Sequence, residues 1–201
     1  SEATATVTVT ASLSTVGGGD VSGLGVTVPF TLGGTATGGG VDYTSSSSSI
    51  SIGAGQSSGS ATITLVDDSL AENNETILVT MGTPTNASAG STTSQTITIT
   101  NNNATPSVSL TLSAQDVGEG SSASVTAQLS AISGLDVTVP LSFGGTGTGS
   151  GTDYTSSASS ITIPAGSTTG SITLATVSDG LDEEDETAVV SMGAVVNATT
   201  G

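Results

Sequence analysis

The chain has 201 residues, 17 of them Asp or Glu and none of them Lys, Arg, His, Cys or Trp, giving a formal net charge of −17. Neutralising phosphates and attaching to anionic lipids both need cations, so nucleic-acid partners and electrostatic membrane binding are excluded. Catalysis would lack a His relay, a Cys nucleophile, a Schiff-base Lys and an Arg clamp; what remains is the oxygen-donor chemistry that suits hard cations.

From the N-terminus, Val7-Thr8-Val9-Thr10 alternates apolar and hydroxyl side chains, the period of a half-buried strand. Val28-Pro29 lies in a second strand-like run, and a proline there belongs at an edge or a bulge. Gly33-Gly34-Thr35 and Asp42-Tyr43-Thr44 punctuate the chain before Ile50-Ser51-Ile52 and Ile63-Thr64-Leu65. Tyr43 reads as a corner-packing ring with its hydroxyl bonded to backbone. An acidic turn runs from Asp67 to Glu75, then Ile97-Thr98-Ile99 leads into Asn101-Asn102-Asn103. Val108-Ser109-Leu110-Thr111-Leu112 and Asp116-Val117-Gly118-Glu119 follow.

From Val139 the series returns without a gap. Val28-Pro29 matches Val139-Pro140, Gly33-Gly34-Thr35 matches Gly144-Gly145-Thr146, and Asp42-Tyr43-Thr44 matches Asp153-Tyr154-Thr155. Asp68-x-Leu70-x-Glu72-x-x-Glu75-Thr76 matches Asp179-x-Leu181-x-Glu183-x-x-Glu186-Thr187. An internal repeat of β-patterned segments spaced by turn residues, with no helical stripe, predicts two all-β sandwiches, residues 1–104 and 105–201. The copies are not equal. The first lacks a counterpart of Pro106–Ser113 and so its leading strand; the second lacks a counterpart of Gln95–Thr100 and so its last strand. The expectation is either a window cut from a longer array or strands supplied by neighbouring modules or subunits.

Asp179, Asp182, Glu183, Glu184, Asp185 and Glu186 fall within eight residues, with no cationic side chain in the chain to pair them. Crowded carboxylates either become harder to ionise or are neutralised by a metal. Calcium, which takes about 6–8 oxygens and tolerates irregular loops, suits them better than magnesium. The blander reading is a solvated acidic turn.

The succession Gly-Thr-Ala, Asp42-Tyr43, Ile-x-Ile-x-Ala-Gly and Asp67-Asp68-x-Leu-x-Glu72-x-x-Glu75-Thr, repeated in order with substitutions in the second copy, resembles the Calx-beta domain over nearly the whole chain. The resemblance implies two tandem immunoglobulin-like antiparallel β-sandwiches of a bacterial-type extracellular repeat protein, with calcium as the bound ion. It maps the ligands onto Glu2, Asp42, Asp67, Asp68, Glu72 and Glu75 in the first copy, and onto Glu119, Asp153, Asp179, Glu183 and Glu186 in the second. Ser178 departs from the Asp-Asp pattern, and Asn101, Asn102 and Asn103 stand where the family often carries Asp.

The function expected is a non-catalytic extracellular or cell-surface module: part of a calcium-stiffened stalk, adhesin or fibre. The alternative is a calcium-responsive regulatory pair of a larger membrane protein. Partners would be copies of itself, adjacent repeats, or a surface receptor or glycan. No apolar run reaches the roughly 20 residues that insertion into a bilayer needs. Asn74, Asn86, Asn103 and Asn197 stand in Asn-x-Ser/Thr sequons and are glycosylation candidates if the chain is secreted.

Overall fold

The structure, a computed structural model, describes residues 1–3, 5–14, 20–180 and 184–201. Its contacts divide the chain into two compact units: Ser1–Asp68 with Asn73–Asn102, and Ser69–Glu72 with Asn103–Gly201. Among the described residues all regular structure is β, and no helix is long and apolar enough to cross a membrane.

In the first unit, β1 (Thr6–Ser12), β5 (Ser58–Leu65) and β3 (Tyr43–Ser45) form one sheet in the order β1-β5-β3. The facing sheet is β4-β2-β6-β7, from β2 (Val26–Gly34), β4 (Ser49–Ile52), β6 (Glu75–Met81) and β7 (Ser94–Ile99). Alternation puts one side chain in two inward, so Val26, Ile52, Ile63, Ile77 and Ile99 fill the space between the sheets. Thr and Ser from the same strands coat the outside.

The second unit repeats this plan with β9 (Ser122–Leu129), β13 (Thr169–Thr176) and β11 (Tyr154–Ser156) opposite β10 (Val137–Gly145), β12 (Ser160–Ile163) and β14 (Ala188–Met192). It adds β8 (Ser107–Leu112) and the two-residue β15 (Thr199–Thr200), giving sheets β11-β13-β9-β8-β15 and β12-β10-β14. No described strand of the first unit matches β8, and none of the second matches β7. Val190 of β14 is only half-buried, whereas its counterpart Val79 of β6, which lies beside β7, is buried.

Pro29 lies in the inner strand β2, and the sheet accommodates it by a bulge. Phe30 pairs with Met81 and Thr27 with Thr85, so the partner chain spends one extra residue opposite Pro29. The same shift separates Leu141↔Met192 from Thr138↔Val196 around Pro140. Gly34 and Gly145 end the β2 and β10 runs at φ of 106° and 111°, where a Cβ would run into the carbonyls of Thr76 and Thr187. Only glycine lets the chain leave the sheet there and start the loop that carries Asp42 or Asp153.

Candidate functional site

Antiparallel pairing decides which acids gather. The start of β1, the end of β5 and the start of β3 lie at one pole of the first sandwich, because β1 and β3 both run against β5. The start of β6 and the end of β7 share that pole, since Glu75 pairs with Ile99, and the Glu2 amide donates to the Thr100 carbonyl at 2.9 Å. Glu2, Asp42, Asp67, Asp68 and Glu75 follow or precede these strand ends and so converge.

Glu2 is 5 % exposed and Asp42 8 %. Among the described residues, Oε2 of Glu2 is buried with no hydrogen-bond partner. Burial pushes its carboxyl above the ordinary value; a bond from the Asn102 backbone opposes this, and the charges of Asp68, Asp42 and Asp67 add to the rise. Asp42 and Glu75 each bring a carboxylate oxygen within 4.8 Å of the other's. Asn102 holds Asp67 through Nδ2 donating to Oδ1 at 2.9 Å, and Asn74 Oδ1 accepts the Asn101 amide at 3.0 Å. The asparagines thus order the carboxylates without adding charge.

Asp42 has a structural task as well. Its Oδ2 accepts the Thr37 amide, while its own amide donates to the Thr37 carbonyl at 3.0 Å. Its carbonyl accepts the Val66 amide at 2.9 Å, tying the loop to the end of β5. Asp153 does the same with Thr148 and Val177. One carboxylate oxygen closes the turn and Oδ1 takes no hydrogen bond among the described residues. The Tyr43 and Tyr154 rings next to these aspartates are buried as expected, close over Gly38 and Gly149. No hydroxyl-to-backbone bond of either tyrosine is found among the described residues; the phenol oxygens stand 3.1 and 3.2 Å from where a Cβ on Gly38 or Gly149 would lie.

In the second unit, Glu119, Asp153, Asp179 and Glu186 line one cleft of about 750 Å³. Asp116, Glu184 and Asp185 line it too. Glu183, assigned to this site from the sequence, lies outside the described residues. Asp116 was not assigned: it stands in the β8–β9 turn, for which the first copy has no counterpart to compare. Glu72 ends the segment Ser69–Glu72, which groups with the second unit, and packs against Gly134 there. Asp20 and Asp136 lie in turns at the opposite pole, where Asp136 Oδ1 accepts the Ala165 amide at 2.8 Å.

Two sequon asparagines have structural work. Asn86 and Asn197 adopt φ of 60° and 63°, and their Nδ2 atoms donate at 2.8 Å to the carbonyls of Gly25 and Asp136.

No curated protein matches the chain in sequence. Solved structures similar to it include CBD12 from CALX1.2, at 15 % identity over 96 % of this chain and 75 % of that one, with a TM-score of 0.44. The calcium binding domain CBD12 of CALX1.1 is similar at 17 % identity, over 96 % of this chain and 76 % of that one, also with a TM-score of 0.44. The Calx-beta domain model matches residues 1–104 and again 102–200. The chain belongs to the Calx-beta domain family, as two tandem, non-catalytic copies.

Proposed function

We propose that each unit binds calcium at its acidic pole and that the pair serves as a stiffened extracellular module of a stalk, adhesin or fibre. The carrying observation is Glu2: a buried carboxylate with an unpartnered oxygen, facing Asp68, Asp42 and Asp67 in a chain with no cationic side chain. A divalent cation is the simplest way to offset that charge. The proposed ligands are Glu2, Asp42, Asp67, Asp68 and Glu75, with Glu72 from the same acidic turn, in the first copy. In the second they are Glu119, Asp153, Asp179, Glu183 and Glu186, with Asp116 added. All are hard oxygen donors on irregular loops, which fits calcium better than magnesium.

A mechanical role is supported by where charge is placed. Acids concentrate at one pole of each sandwich, and the strand faces present uncharged Ser and Thr, as a spacer requires. Glycans on Asn74 or Asn103 and contacts with like modules belong to the same extracellular reading. Calorimetric titration of the intact chain tests it. Dissociation constants of about 10⁻⁴–10⁻³ M suit an extracellular module. Values of about 10⁻⁷–10⁻⁵ M would instead indicate a regulatory calcium sensor. No heat of binding would remove calcium altogether.

A further inference from the structure

Asp179 is the only Asp or Asn of the chain that is followed by glycine. That pairing has a chemistry of its own. The backbone nitrogen of the next residue can attack an aspartyl Cγ and close a five-membered imide. A Cβ on that next residue stands in the way, and glycine has none. Every other aspartate is followed by Val, Tyr, Asp, Ser or Glu. The counterpart in the first copy is Asp68-Ser69, where the serine Cβ hinders the same attack.

The surroundings set Asp179 further apart. Asp42 and Asp153 each spend Oδ2 on a backbone amide, that of Thr37 or Thr148, and lead into buried tyrosines. Asp67 is held by Asn102, and Asp136 by the Ala165 amide. Asp179 is exposed and lies beyond β13, which ends at Thr176, so no ladder bond fixes the main-chain rotation that the attack needs. Gly180 follows at φ of 82°, with nothing within 4 Å of where a Cβ would stand. Among the described residues the Gly180 amide donates no hydrogen bond, so its nitrogen is not tied down.

We propose that Asp179-Gly180 is a modification site, at which the peptide link migrates to the side chain and forms isoaspartate whenever no cation holds the carboxylate. The Gly180 nitrogen bonds to Asp179 Cγ. One carboxyl oxygen leaves as water, taking the amide hydrogen and a proton. Water then opens the imide at the former main-chain carbonyl, which leaves Gly180 linked through Cγ and frees the α-carboxylate. Water is lost and regained, so the net change is an isomerisation. The main chain gains a methylene and the carboxylate moves. Asp179 lines the cleft with Glu119, Asp153 and Glu186, so the product lacks a donor where the others converge. The second unit's site thus decays with the time it spends empty, and Ser69 spares the first. An ion seated on the Asp179 oxygens keeps either from leaving. This protection rests on the calcium reading; the reaction in the absence of an ion does not.

The test incubates the intact chain at neutral pH in calcium or in chelator. Electron-transfer mass spectrometry locates the β-linked residue, and enzymatic methylation of the freed α-carboxylate counts it. In chelator, product should accumulate at residue 179 ahead of every other aspartate. With calcium at about 100 times the dissociation constant only the unliganded fraction reacts, so the rate should fall about 100-fold. Asp179→Glu would need a six-membered ring and should give no product. A synthetic peptide of residues 174–184 sets the intrinsic rate. A chain that stays unmodified in chelator while the peptide converts, or that converts equally at Asp68, overturns the proposal. Equal rates in calcium and chelator overturn the protection where calorimetry shows the second unit binding calcium. Where calorimetry shows no binding, the calcium reading falls and the isomerisation stands.

Discussion

Glu2 is where folding and ion binding meet most directly. Its carboxyl is raised in the folded unit, by burial first and then by Asp68, Asp42 and Asp67 against the bond from Asn102. A raised acid binds its proton more tightly folded than unfolded. This contribution to stability is therefore best below the unfolded value, falls as pH rises through the window up to the folded value, and stays lost above it. In chelator, Glu2→Gln should raise the melting temperature of the first unit at pH 7 and flatten its slope with pH, as read by calorimetry. In calcium the same substitution should lower it, because a ligand is gone. A Glu2→Gln protein that melts like the parent in both conditions would place Glu2 outside any site. The position was legible in the sequence only through family resemblance. Its burial was not, because that depends on the tie between Glu2 and Thr100, far apart in the chain.

At the scale of strands and turns, local pattern carried far. Alternation marked β1, β4, β5, β7 and β8, and the prolines marked an edge or a bulge, of which the bulge is found, since both signals depend on chemistry within a few residues. Non-local pairing left less trace. β15 is two residues long and held in parallel by β8, and nothing in Thr199-Thr200 announces it. Asp116 escaped for a related reason: its place in the cleft depends on how the β8–β9 turn folds over the pole. Gly34 offers a sharp test of the turn chemistry. Gly34→Ala forces a side chain into positive φ and onto the Thr76 carbonyl, which should destabilise the first unit by about 1–3 kcal/mol in denaturant titration. Gly33→Ala, with nothing within 4 Å of its Cβ, is the control and should cost under about 1 kcal/mol. Equal losses at both positions would show that the close approach at Gly34 is not what limits the turn.

For the whole molecule, calcium enters as a ligand of the folded state. At about 100 times the dissociation constant it adds about 2.7 kcal/mol per site, enough to raise a melting temperature by several degrees. Chelation should lower both transitions. Asp179→Asn combined with Glu186→Gln should abolish the shift of the second unit and leave that of the first, followed by calorimetry on the intact chain. Loss of both shifts would mean that the units do not bind independently.

The concentration of the described acids at one pole of each sandwich, against single carboxylates such as Asp20 and Asp136 at the other, has an electrokinetic consequence. Each unit is a lopsided ion, anionic at one tip and neutral along its flanks, and it should meet a cationic resin tip first. Divalent ions seated at that tip would erase most of its grip, so the chain should leave an anion exchanger at markedly lower salt when the buffer contains calcium.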